Sequence, residues 1–135
     1  MSVTILLVED DPLLRTVLSE LLEFGGHSVV TCENGREAVQ QLSLAQIDLV
    51  VTDLSMPEMD GLELIKVLTF EWPEIRVIAM SGLLDCRFRQ LTEMYGVTLL
   101  EKPFSLEEML KVVEISIATG ACQQEDRVNP PWFRS

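Results

Sequence analysis

Short apolar runs alternate along the chain with longer stretches whose apolar residues recur every three or four positions. Ile5-Leu6-Leu7-Val8 is the first such run, and four others lie at residues 28–32, 47–52, 77–80 and 98–100. Continuous apolar runs are typical of strands buried on both faces of a parallel sheet, and the longer period predicts amphipathic helices. The alternation therefore predicts an α/β fold, a doubly wound five-stranded parallel sheet flanked by five helices with right-handed crossovers.

Helix boundaries are marked by residues that start or stop helices. Gly25-Gly26 is predicted to end the first helix, and Asn34 to cap the second. Trp72-Pro73 ends the third, because the residue before proline is pushed out of the helical region. Ser105 and Glu108 have the spacing of a capping box for the last helix. The second strand is more polar than the others, which favours an edge of the sheet.

The alternating pattern stops at about Gly120. We therefore predict one domain over residues 1–120 and a flexible tail or linker stub over residues 121–135. The pair Trp132-Phe133 in that tail has the character to contact either the domain or a partner.

Composition narrows the class of protein. The 135 residues carry a net charge of −12 and are 47% hydrophobic, which suits one domain with its own core. So acidic a chain repels phosphate backbones and anionic lipid, which argues against direct nucleic-acid or membrane binding. The three cysteines lie at wide spacing and predict a reducing compartment, the cytoplasm. Most of the acidic charge is interpreted as solvated surface, although some carboxylates would serve to hold a cation.

Polar side chains follow four of the five predicted strands. They are Glu9, Asp10, Asp11, Asp53, Ser81 and Lys102. Because ligands bind beyond the carboxyl ends of parallel strands, we expect these residues at one rim. Asp11, directly before Pro12, is interpreted as a helix cap rather than a ligand. Two carboxylates about 4 Å apart repel by about 4 kcal/mol, so the cluster needs a cation, and oxygen ligands favour Mg²⁺. A carboxylate, a hydroxyl and an ammonium beside Mg²⁺ are suited to phosphoryl transfer.

Four segments at this rim carry a resemblance to a known family. They are Ile5–Pro12 (ILLVEDDP), Asp53–Gly61 (DLSMPEMDG), Met80-Ser81-Gly82 and Lys102-Pro103-Phe104. In order and spacing they resemble the receiver domain of bacterial two-component response regulators, over residues 3–119. The resemblance implies a flavodoxin-like sheet with strand order 2-1-3-4-5.

The resemblance also implies roles for single residues. Asp53 would be the phosphoacceptor, and Mg²⁺ would bind Asp10, Asp53 and the backbone carbonyl of Ser55, with Glu9 acting through water. Ser81 would bond the phosphoryl group. Lys102 would pair with it, and the Lys102–Pro103 bond is commonly cis in this family.

The sequence departs from the family pattern in two respects. Leu99 stands where many members have an aromatic switch residue three positions before the lysine. Ser55 and Leu83 occupy the positions that tune hydrolysis, and Leu83 cannot hold an attacking water. We therefore predict a long-lived phosphorylated state.

The implied partners are a sensor histidine kinase or a histidine phosphotransfer protein upstream. Downstream, the face of the fourth helix, fifth strand and fifth helix would meet a partner, a missing output domain or a second copy of the chain. This face would include Arg87, Arg89, Leu99 and Lys111. The sequence leaves open whether the receiver is stand-alone or excised from a larger regulator or hybrid kinase.

Other classes fit the residues less well. An aspartate-nucleophile phosphatase would need a second Asp where Ser55 stands, and His27, the single histidine, is expected to be structural or exposed. A Rossmann domain would need a glycine-rich first turn. A third alternative, a receiver-like interaction module that works without phosphate, stays open. Mg²⁺-dependent uptake of phosphate by Asp53 would distinguish the phosphorylated switch from such a module. We expect a switch that assists its own phosphorylation rather than an enzyme.

Overall fold

A single parallel sheet organises the chain, and the computed structural model describes residues 2–54, 61–82 and 93–126. The strands run in the order β2-β1-β3-β4-β5, which confirms the predicted topology and the edge position of β2. The strands are β1 Thr4–Val8, β2 Ser28–Cys32, β3 Leu49–Asp53, β4 Arg76–Ser81 and β5 Thr98–Glu101. The helices are α1 Pro12–Phe24, α2 Gly35–Leu44, α3 Gly61–Glu71 and α5 Leu106–Asp126; of α4, the described part of the chain includes only residues 93–95.

The bounds of β3 differ from the predicted residues 47–52. The strand runs from Leu49 to Asp53, because its ladder with β4 continues as far as the pair Asp53 and Met80. Ile47 is buried but precedes the strand. Hydrophobicity marks burial, whereas hydrogen bonding to neighbouring strands decides where a strand begins and ends.

Apolar side chains cover both faces of the sheet. On one face, β1 residues Ile5 and Leu7 share a core cluster with Leu18 of α1 and Met109 of α5. On the other face, Leu6 and Val8 pack in a cluster to which α2 and α3 contribute. Both sides of β1 are therefore buried, which explains its unbroken apolar run.

The predicted helix signals are confirmed. Asp11 caps α1, and its side chain accepts hydrogen bonds from two backbone N–H groups of the first turn, at 3.0 and 3.4 Å. Asn34 caps α2 in the same way at 2.9 Å. Ser105 and Glu108 exchange the two bonds of a capping box, at 3.0 and 3.1 Å. Gly26, after the end of α1, has a φ of 93°, a conformation that favours glycine.

The backbone of α5 continues to Asp126, past residue 120, where the sequence pattern stops. Residues 121–126, the first part of the predicted tail, are helical, while residues 127–135, with the pair Trp132-Phe133, lie outside the described part, and the flexibility of the tail stays a prediction. None of the helices searched in the described part is both long and apolar enough to cross a membrane.

Candidate functional site

Three carboxylates meet at the carboxyl edge of the two central strands. Glu9 and Asp10 follow β1, and Asp53 ends β3, which is paired with β1. One carboxylate oxygen from each lies within 4.8 Å of the others. Glu9 is 1% exposed and Asp53 6%, whereas Asp10 is exposed to solvent. The predicted acidic cluster is therefore assembled by the fold.

Glu9 is the most buried member of the cluster. Its Oε1 accepts a hydrogen bond from the backbone N–H of Asp11 at 3.3 Å. Among the described residues, no donor lies within hydrogen-bonding distance of its buried Oε2. Burial, reinforced by the negative charge of Asp53, raises the pKa of Glu9 to about 7, although Lys102 opposes the shift. A carboxylate in this position gains from any cation that reaches Oε2.

Lys102 follows the edge strand β5 and brings a positive charge to the carboxylate cluster. Its Nζ donates a hydrogen bond to Oδ2 of Asp53 at 2.8 Å and lies 3.8 Å from Oε2 of Glu9. Burial lowers the pKa of the lysine, but the hydrogen bond and the nearby carboxylates outweigh it and raise the pKa. The Lys102–Pro103 bond is cis, as the family resemblance implies. The ammonium is thus held charged against the carboxylate of Asp53.

Ser81 reaches the same rim from the strand between Asp53 and Lys102. It ends β4, which is paired with both β3 and β5, and it is 5% exposed. Its carbonyl accepts the backbone N–H of Lys102 at 2.8 Å, which ties the two strand ends together. The remaining predicted ligand, the carbonyl of Ser55, lies in residues 55–60, outside the described part. Leu83 also lies outside it, in residues 83–92.

The donor set fits a hard divalent cation. Glu9, Asp10 and Asp53 offer oxygen atoms alone, and among the described residues the ammonium of Lys102 is ion-paired with two of these carboxylates, Glu9 and Asp53. Oxygen ligands of this kind are those that Mg²⁺ prefers, and Oε2 of Glu9 accepts no hydrogen bond among the described residues that a cation would have to displace.

Arg15 is a site-adjacent residue that the sequence analysis did not single out. Its Nη1 donates to the backbone carbonyl of Glu9 at 2.8 Å, and its Nη2 lies 3.8 Å from Oε1 of Glu33. The available signal was a basic residue one helical turn after Asp11, on a helix that begins at the acidic rim.

Two other residues are clarified by the structure. Asp11 lies outside the carboxylate cluster and caps α1, as predicted. His27 directly precedes β2, at the amino-terminal ends of the strands, and is buried. Its Nδ1 accepts a hydrogen bond from the backbone N–H of Val3 at 3.3 Å, and its Nε2 lies 3.2 Å from Oε1 of Glu114. Of the two alternatives for His27, the structural role is therefore the right one.

The predicted output face is described only in part. Leu99 is half-buried and packs against a cluster of Leu54, Ile65 and Ala79, in which Tyr95 also takes part. Lys111 is exposed on α5. Arg87 and Arg89 lie outside the described residues.

Comparison with known proteins identifies the family. The family model described as the response regulator receiver domain matches residues 5–114. The chain belongs to the response regulator receiver family. The response regulator protein FleR of Pseudomonas aeruginosa is 34% identical to this receiver over 115 residues, which are 84% of the chain and 24% of FleR. The receiver protein CpdR of Brucella abortus is 32% identical, and the match covers 82% of the chain and 92% of CpdR.

Solved structures give the same assignment. The receiver domain of a signal transduction histidine kinase from Syntrophus aciditrophicus matches with a TM-score of 0.79 and 34% identity, covering 86% of this chain and 90% of that one. The receiver therefore spans nearly all of some relatives, but only 24% of a longer regulator such as FleR.

Proposed function

We propose that this receiver domain is a phosphorylation-dependent switch that accepts a phosphoryl group on Asp53. The observation that supports the proposal is the 2.8 Å contact of Lys102 with Asp53, at the point where the oxygens of Glu9, Asp10 and Asp53 meet. The donor would be the phosphohistidine of a sensor histidine kinase or of a phosphotransfer protein.

In this proposal Mg²⁺ would be held by Asp10, Asp53 and the backbone carbonyl of Ser55, with Glu9 contributing through water. When bound, the ion compensates the charge of the carboxylates and of the phosphoryl oxygens. A cation at this place is supported by the buried Oε2 of Glu9, which accepts no hydrogen bond among the described residues.

Three side chains of the protein have separate roles in the proposed phosphoryl transfer. An oxygen of Asp53 forms the new bond to phosphorus as the bond to the donor histidine nitrogen breaks. Lys102 already sits beside this carboxylate, so its ammonium can pair with a phosphoryl oxygen without a large movement. The hydroxyl of Ser81, at the end of the intervening strand, would bond another oxygen. The protein thus assists its own phosphorylation and turns over no separate substrate.

Phosphorylation would change the surface formed by α4, β5 and α5, and with it the binding of a partner. Leu99, half-buried against the cluster of Leu54, Ile65 and Ala79, would respond by repacking, since it has no hydroxyl to exchange. The occupant of this face is a downstream protein, an output domain of a longer chain or a second copy. We expect the protein to work in the cytoplasm.

Labelling with acetyl phosphate in Mg²⁺, followed by intact-mass measurement, tests the proposal. We expect the wild type to gain one phosphoryl group and Asp53→Asn to gain none. Asp48→Asn is the matched control, because Asp48 precedes the opposite end of β3, where it accepts the N–H of Thr4 at 2.9 Å. Normal labelling of Asp53→Asn would show that another residue is the nucleophile. An unlabelled wild type that still binds Mg²⁺ would favour a module that works without phosphate.

A further inference from the structure

The backbone of Glu9 is held from two sides. Its N–H donates to the carbonyl of Cys32 at 3.1 Å, at the end of the edge strand β2. Its carbonyl accepts Nη1 of Arg15 at 2.8 Å. The turn that carries the acidic residues is thus fixed to a strand on one side and to α1 on the other.

Arg15 contacts the backbone carbonyl of Glu9 rather than its carboxylate, and this difference matters for cation binding by the carboxylate cluster. Of the two carboxylate oxygens, Oε1 accepts the N–H of Asp11, and Oε2 lies 3.8 Å from Nζ of Lys102 and has no hydrogen bond among the described residues. A guanidinium that bound the carboxylate itself would compete with a cation for the same oxygens. Arg15 therefore orients Glu9 without occupying its ligand atoms.

The second contact of Arg15 is weaker. Nη2 lies 3.8 Å from Oε1 of Glu33, and the side chain of Glu33 is 63% exposed, against 19% for Arg15. Exposed ion pairs of this length contribute little. The bond to the carbonyl of Glu9 is consequently the contact through which Arg15 holds the acidic turn.

We propose that Arg15 is a positioning residue that sets the cation affinity of the Glu9, Asp10 and Asp53 cluster through the carbonyl of Glu9. The inference rests on the proposed function, because it assigns Arg15 to the same Mg²⁺ site. Partners that orient the ligands of a metal commonly change its affinity by about 10- to 100-fold when they are removed.

Calorimetric titration of the unphosphorylated protein with Mg²⁺ tests this assignment. We expect the Kd of Arg15→Met to rise about tenfold or more. Arg15→Lys should restore part of the affinity, since an ammonium can still donate to one carbonyl. Arg36→Met is the matched control for the loss of one positive charge, because Arg36 is exposed on the nearby α2, and it should bind as the wild type does. Glu33→Gln should also change the Kd little.

A metal-free measurement keeps the inference separate from the proposed function. In Arg15→Met, amide hydrogen exchange should accelerate at Glu9 and Asp11 and stay unchanged at Leu7, inside β1. An unchanged Mg²⁺ Kd, or exchange that rises equally at all three amides, would overturn the role of Arg15. Equal losses in Glu33→Gln and Arg15→Met would overturn the carbonyl bond as its cause. If Asp53 takes no phosphate but Arg15→Met shows both effects, the proposed function fails and this inference stands.

Discussion

Asp53 ends one strand and Lys102 follows another that is not its neighbour in the sheet, yet Nζ of the lysine donates a 2.8 Å hydrogen bond to Oδ2 of the aspartate. Asp53 ends β3 and Lys102 follows β5, with β4 lying between these strands in the sheet. The contact spans 49 positions of sequence and places one ammonium against two buried carboxylates.

Removing that ammonium should destabilise the metal-free protein. Lys102→Met removes the ammonium that lies against the buried carboxylates of Asp53 and Glu9, so the free energy of unfolding at pH 8 should fall by about 1–3 kcal/mol. Urea unfolding measures the change. Lys66→Met is the matched control, because Lys66 is exposed on α3. Equal losses in the two variants would contradict the compensating role of Lys102.

Glu9→Gln should have the opposite effect on the metal-free protein. The pKa of Glu9 is raised to about 7 by burial and by Asp53, so its stabilising contribution is complete below its usual value of 4.5 and is lost as the pH rises through 7. At pH 8 the buried charge is a cost. Replacing it should raise the free energy of unfolding by on the order of 1 kcal/mol at pH 8 and leave it nearly unchanged at pH 4.

Glu20→Gln, on the exposed side of α1, provides the comparison for this pH dependence. A gain for Glu9→Gln that is the same at pH 4 and pH 8 would mean that the titration of Glu9 is not its source.

Neighbouring aspartates should respond differently to Mg²⁺. At an ion concentration ten times the Kd, binding adds about 1.4 kcal/mol to the stability of the wild type, visible as a higher Tm. Asp10→Asn should lose most of this rise because Asp10 belongs to the carboxylate cluster. Asp11→Asn should keep it, since Asp11 is a helix cap and asparagine caps equally well. Loss of the rise in Asp11→Asn would assign a ligand role to the cap.

The phosphorylated state should be long-lived, because Leu83 cannot hold an attacking water. Loss of label from the purified phosphoprotein in Mg²⁺, without a phosphatase, measures its half-life. Leu83→Gln should shorten that half-life several-fold, since an amide can hold water. Leu106→Gln, at an exposed position on α5, should not change it. Rapid loss of label from the wild type would contradict the prediction.

Local residue patterns were sufficient for much of the fold. The strand runs, the caps Asp11 and Asn34 and the capping box of Ser105 depend on neighbours within a few positions, and all are present as predicted. The limits of β3 were missed because they depend on pairing with β4. Arg15 was missed because its partner is a backbone carbonyl, which no residue type marks.

The linear sequence alone predicts which side chains share a rim of the sheet. The prediction follows from the order of the apolar runs and from the polar residues that come directly after them. This works because parallel strands with helical crossovers bring all their carboxyl ends to one edge. Distances and energies at that rim come from folding alone. Burial of Glu9, with an oxygen that has no donor among the described residues, and the meeting of Lys102 with Asp53 depend on strand order and packing. These long-range contacts convert an acidic sequence motif into a cluster of carboxylates whose oxygens are close enough together to hold one cation.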